Sequence, residues 1–168
     1  DEFEFRARSR TEGGDWADHV MGRIGHAPEE AEEGFYDGAG ILDSFGADPE
    51  KLKSEAPIQS NEGQAVQVGP RWQCLSYVAR RENEAIAVLK LPEAFVSDLD
   101  DFPLHPAIID CATSFAVTWA ASQGVYLPYT YERVRARKAM QPEVYCYARY
   151  APSDSGQTEV ITLDVDIF

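Results

Sequence analysis

The feature that most constrains this chain is one strongly apolar helix signal between His105 and Gly124. Pro106 suits a first-turn position, where its missing N–H costs nothing, and Gly124 offers a stop. Ile108, Ile109, Ala112, Phe115, Ala116, Val117, Trp119 and Ala120 cover most of the circumference, the pattern of a helix enclosed by other structure. The remaining regular segments read as strands. Phe3, Phe5 and Ala7 alternate with Glu4, Arg6 and Arg8, so the chain begins inside a sheet, as though cut where earlier strands are missing. Residues 72–79 and 85–91 form a predicted hairpin joined through 80–84, and further strands are expected at 144–150 and 160–168 with a turn at 152–156. In the last of these, Val160, Thr162, Asp164 and Asp166 share one face, with Ile161, Leu163, Val165 and Ile167 on the other. A buried helix among antiparallel strands implies the α+β class, with a curved antiparallel sheet wrapped around a long central helix.

A length of 168 residues suits one domain with a real core, and 44% hydrophobic against 26% charged residues is ordinary for a folded globular protein. The formal net charge of −14 argues against nucleic acid and against anionic membrane surfaces as partners. Glu29, Glu30, Glu32 and Glu33 read as a solvated face inside a Gly-, Pro- and acid-rich linker over 26–60. Cys74, Cys111 and Cys146 are widely spaced, which indicates neither a zinc site nor a disulfide framework and fits a reducing cytosol. No apolar run is long enough to span a bilayer.

Asp110 is the ionisable residue within the helix signal, read here as lying in its first turn. An apolar enclosure makes a carboxylate costly to ionise, whereas the helix dipole and local N–H donors favour the charged form. If desolvation wins, Asp110 is a proton donor; if not, it is an ordinary first-turn acid reaching solvent. Ser114, one turn on, either hydrogen-bonds that carboxylate or bonds back to the Asp110 carbonyl. His105 reads as an extended or capping residue before Pro106, and His19 and His26 have no neighbouring nucleophile in sequence. Gly34, Gly38 and Gly40 lack the strand and helix context of a phosphate-binding loop.

Three segments, taken in order, resemble the C-terminal half of dehydratase domains from modular polyketide synthases. They are 63–72 with Gly69, Pro70, Arg71 and Trp72; 104–110 with His105, Pro106 and Asp110; and 126–134 with Leu127, Pro128 and Tyr129. The opening segment, with Trp16, His19 and Gly22, is similar to the closing strand of the family's N-terminal half. The resemblance implies a double hotdog fold, divided here into 1–25 as the end of a first hotdog, 26–60 as linker and 61–168 as the second.

It also implies the chemistry. A β-hydroxyacyl thioester, carried on the phosphopantetheine arm of an acyl carrier protein, loses water to give an α,β-unsaturated chain. An upstream histidine removes the α-proton and Asp110 protonates the departing hydroxyl, so this chain alone is expected to be inactive. Ser114, Val68, Gly69, Pro70, Leu127 and Pro128 are the implied substrate contacts. No bound cofactor and no metal are implied, and the expected setting is a cytoplasmic, dimeric multienzyme. The sequence departs from the family in carrying Ser114 where Gln or His is usual, and Val66 and Val68 where tyrosines are frequent. Alternatives on the same fold are an inert structural module and a double-bond isomerase or cyclase.

Overall fold

The computed structural model describes residues 2–26, 36–46, 68–120, 128–152 and 160–168. The chain divides into two units, Asp1–Phe35 and Tyr36–Phe168.

In the first unit β1 (Glu2–Arg10) pairs antiparallel with β2 (Trp16–Gly25). The expected alternation of β1 is present, but both of its faces are exposed, since a two-stranded ribbon has no second layer within its own unit among the described residues. Phe3, Phe5, Trp16, Val20, Met21 and Ile24 all stand open to solvent. The register shifts between Ala7 and Arg8, which face Val20 and Asp18 and leave His19 as the extra residue of a β-bulge.

The second unit is a four-stranded antiparallel sheet, β3 (Leu75–Arg80), β4 (Glu84–Lys90), β5 (Glu143–Tyr150) and β6 (Leu163–Ile167), in chain order across the sheet. The expected strand segments are present, and the 3-10 turn Pro70–Trp72 shortens the first of them by taking Trp72 out of the strand. Alternation assigns the two faces. Ala85, Ala87 and Leu89 of β4, Val144, Cys146 and Ala148 of β5, and Leu163, Val165 and Ile167 of β6 point to one core. A register shift between Leu75 and Tyr77 lets Leu75 and Val78, of unlike parity, share that face.

Across that core lies α2 (Pro106–Ala120), while α1 (Gly38–Ser44) lies on the opposite face. Small residues meet where α2 approaches the sheet: Ala112 and Ala116 are buried in one cluster with Ala85, Ala87, Cys146 and Ala148. This lets the helix axis sit close to a curved sheet. The far end of α2 is tied down by Trp119 Nε1, which donates to the Arg81 carbonyl at 3.3 Å, and by its ring contact with Tyr150 at 5.0 Å. Gly124, the expected stop, lies outside the described residues.

The enclosure of α2 is one-sided. Ala107, Ile108, Ala112, Phe115, Ala116 and Ala120 are buried, whereas Asp110, Ser114 and Thr118, spaced at successive turns, form an exposed stripe. Within the segment read as a linker, α1 is capped by Asp37, whose Oδ1 accepts from Gly40 N at 3.0 Å, and it lays Leu42 against Ile86 and Val88. Gly38 permits this docking, because a Cβ there would stand 2.6 Å from Tyr145 and 2.8 Å from Phe168. The Glu29–Glu33 run lies outside the described residues.

Candidate active site

The head of α2 is assembled by the chain just before β3. Gly69 is extended (φ −74°, ψ 173°), Pro70 opens the 3-10 turn, and Trp72 N donates to the Gly69 carbonyl at 3.0 Å. The turn is pinned from below by two thiols. Cys74 Sγ bonds the Arg71 carbonyl at 3.1 Å and Cys111 Sγ bonds the Trp72 carbonyl at 3.2 Å. The closeness of the two sulfurs to one another, together with burial, holds the Cys74 thiol above the usual thiol range, and the same neighbour draws Cys111 below it. Burial pushes Cys146, deeper in the core, up to about 12.

Arg71 points the other way, donating from Nε to Asp98 Oδ2 at 2.6 Å with its guanidinium over the Phe95 ring at 4.3 Å. Asp98 and Phe95 belong to the 3-10 stretch Glu93–Asp100, which has no periodicity that sequence reasoning recognised. The Arg71 guanidinium holds the Asp98 carboxyl below the usual carboxylate range.

His105 occupies the helix entrance as expected, its carbonyl accepting from Ile108 N at 3.1 Å and Ile109 N at 3.2 Å. Its ring is buried, with 1% of the residue exposed and Nε2 3.6 Å from Asp98 Oδ2. His105 Nδ1 is the one buried side-chain nitrogen or oxygen without a hydrogen-bond partner among the described residues. The ring is thus packed behind the helix start.

Asp110 differs from expectation in two respects. It is the fifth residue of α2, one turn in, where the dipole has largely fallen away, and it is exposed rather than walled in by apolar side chains. Its partner is Trp72, whose indole Nε1 donates to Asp110 Oδ2 at 2.6 Å across 38 residues of sequence. Ser114 makes neither of the two bonds weighed for it, to the Asp110 carboxylate or back to the Asp110 carbonyl, and the carbonyl accepts from Thr113 Oγ1 at 3.1 Å. Ser114 is exposed one turn further along the stripe, and its carbonyl accepts from Thr118 Oγ1 at 2.7 Å. Val68, Gly69 and Pro70 are exposed beside the Trp72 turn, and no heavy atom stands within 4 Å of a Cβ built on Gly69. Pro128 is exposed, and Leu127 lies outside the described residues.

The hairpin brings together one pair that sequence separation concealed: Ser9 Oγ lies 2.6 Å from His19 Nε2. Asp18 beside it is engaged by Arg8 at 2.5 Å, so it does not orient the imidazole, and both residues of the pair are exposed. This hydroxyl and imidazole have, among the described residues, no third, orienting group of the kind nucleophilic catalysis needs. Among the described residues no group of three or more His, Cys, Asp or Glu side chains is arranged to hold a metal ion, and no helix is long and apolar enough to cross a membrane.

Comparisons with known proteins agree with this architecture. The chain is 26% identical over 101 residues to the polyketide synthase PksN of Bacillus subtilis, covering 59% of this chain and 2% of that one. Among solved structures, the dehydratase domain from the CurJ module of the curacin polyketide synthase superposes with a TM-score of 0.74 at 17% identity, over 99% of this chain and 57% of that one. A bifunctional dehydratase-cyclase domain from ambruticin biosynthesis gives a TM-score of 0.70 at 24% identity, with the same coverages. The chain therefore spans little more than half of the solved domains it matches. These neighbours share the α+β hotdog fold described above. A family model described as the polyketide synthase dehydratase N-terminal domain matches residues 47–168, most of the chain, and the chain therefore belongs to the polyketide synthase dehydratase family.

Proposed function

We propose that this chain supplies the acidic half of a dehydratase site, removing water from a β-hydroxyacyl thioester presented by an acyl carrier protein. Asp110 is the general acid for the departing hydroxyl, and a histidine from the upstream hotdog takes the α-proton. The observation that carries this reading is the meeting of two family landmarks, 38 residues apart, at one carboxyl: Trp72 of the Gly-Pro-Arg-Trp turn donates to Asp110 of the His-Pro-x-x-x-Asp helix. A thioester acidifies the α-carbon, while hydroxide is a poor leaving group, so a proton donor placed at the hydroxyl addresses the harder half of the elimination.

The division into hotdogs is part of the proposal. Although the matching family model is described as an N-terminal domain, the order of the three landmarks supports 61–168 as the second hotdog. The exposed Asp110–Ser114–Thr118 stripe is then the side from which the acyl chain reaches Asp110. Val68, Gly69 and Pro70, exposed beside the Trp72 turn, are proposed to contact the substrate together with Ser114, Leu127 and Pro128. The partners are the carrier protein with its phosphopantetheine arm and the neighbouring synthase domains, in a cytoplasmic homodimer without a bound cofactor.

A second reading, double-bond migration or ring closure after dehydration, is favoured by the similarity to a dehydratase-cyclase domain and by Ser114 in place of a larger amide or imidazole. Mass spectrometry of the carrier-bound substrate tests the loss of water that both readings share, and NMR of the released product, which gives the position of the double bond or the presence of a ring, separates the two. The complete domain loses one water from the β-hydroxyacyl thioester, and Asp110→Asn slows this by about a hundredfold or more. A folded wild-type domain that leaves the substrate mass unchanged contradicts the dehydratase assignment.

A further inference from the structure

We propose that Trp72 is a positioning residue for Asp110, fixing which carboxyl oxygen carries the transferable proton. The inference rests on the dehydratase reading of Asp110 and adds to it a residue that sequence reasoning placed only as a landmark.

An indole N–H donates and cannot accept, so the oxygen it meets must offer a lone pair. Trp72 Nε1 meets Asp110 Oδ2 at 2.6 Å. In a protonated carboxyl the carbonyl oxygen is the better acceptor, so an indole on Oδ2 favours the proton on Oδ1, the oxygen it leaves free. When that proton passes to the departing hydroxyl, the O–H bond of the acid breaks, water leaves with the electrons of the C–O bond, and the new carboxylate keeps the indole bond, now charge-assisted. The donor thus binds more strongly as negative charge develops on Asp110, a requirement for raising turnover rather than substrate affinity.

The rest of the turn is built to hold that indole still. Trp72 N is bonded to Gly69, its carbonyl to Cys111, and the preceding carbonyl to Cys74. Arg71 is tied to Asp98 at 2.6 Å, and the half-buried Trp72 ring packs against the core under α2. Ser114, one turn beyond Asp110, makes no bond to the carboxyl, so the orienting donor comes from outside the helix.

The test uses the complete dehydratase domain containing this chain, with Trp72→Phe, which keeps an aromatic ring and removes only the N–H-bearing part. Turnover of the carrier-bound β-hydroxyacyl thioester is expected to fall about tenfold with KM unchanged. In parallel, the Trp72 indole 1H–15N resonance, assigned by its disappearance in Trp72→Phe, is expected to shift in Asp110→Ala and to hold its position in Ser114→Ala. Wild-type turnover in Trp72→Phe overturns the proposal. So does a reduced turnover combined with an indole resonance indifferent to Asp110, because the ring would then act by packing alone. Failure of the wild-type domain to dehydrate would instead remove the underlying reading of Asp110, and the resonance shift would still decide whether Trp72 holds that carboxyl.

Discussion

At Asp110 one carboxyl oxygen is taken by Trp72, and the residue stands on the exposed stripe of α2. Position in the sequence was enough to single out Asp110, because an ionisable residue inside an otherwise apolar helix stands out. Its surroundings were not legible. A helix apolar on most of its circumference suggested full enclosure, yet the sheet covers one side only, and the stripe of Asp110, Ser114 and Thr118 is exposed. Trp72 could be recognised as a landmark but not as a partner, since the indole reaches the carboxyl only through the fold. The same holds for Asp98, whose value is set by Arg71, 27 residues earlier. Because the folded carboxyl sits below its unfolded value of about 3.9, the pair's stabilisation is fully present above that value. It is lost as pH falls through the lower folded value. Thermal unfolding followed from about pH 6 to about pH 2 is expected to show a shallower acid-side loss in Asp98→Asn than in wild type. The exposure of this pair keeps the effect modest.

At the scale of elements, alternation was a sound guide wherever a face is buried. It placed Leu163, Val165 and Ile167 of β6 on the core side and left Asp164 and Asp166 to meet Arg149, at 3.7 Å and 2.6 Å. It failed for β1, where a sound period-two pattern has no layer to cover it within its own unit. The 3-10 stretch Glu93–Asp100 and helix α1 were missed because short elements held by tertiary contacts carry little periodicity of their own. The contact that most defines the second unit is the small-residue seam between α2 and β4. Ala87 is fully buried there, in one cluster with Ala112 and Ala116. Replacing it with Leu forces methylenes into a filled space and is expected to cost about 1–3 kcal/mol in urea unfolding. An unchanged midpoint would mean that the helix does not lie as close to the sheet as described.

At the scale of the whole molecule, the described residues form a four-stranded hotdog sheet with its helix and a two-stranded ribbon, in a chain of formal net charge −14. The fold class was legible because helix and strand periods are both clear and the three landmarks fall in order. On the proposed function, the complete site joins Asp110 to a histidine of the upstream hotdog. Elimination of water is reversible through the same transition state, so the acid of the forward reaction becomes the base that activates water in reverse. The most direct test therefore reads the carbon–oxygen bond itself. The complete domain is incubated with an α,β-unsaturated acyl thioester on its carrier protein in 18O-labelled water, and the products are weighed by mass spectrometry. The account predicts a β-hydroxyacyl product heavier by one molecule of labelled water in wild type, and none at comparable times in Asp110→Asn. A folded wild-type domain that returns the thioester unlabelled, or only as an isomer of the same mass, would contradict it.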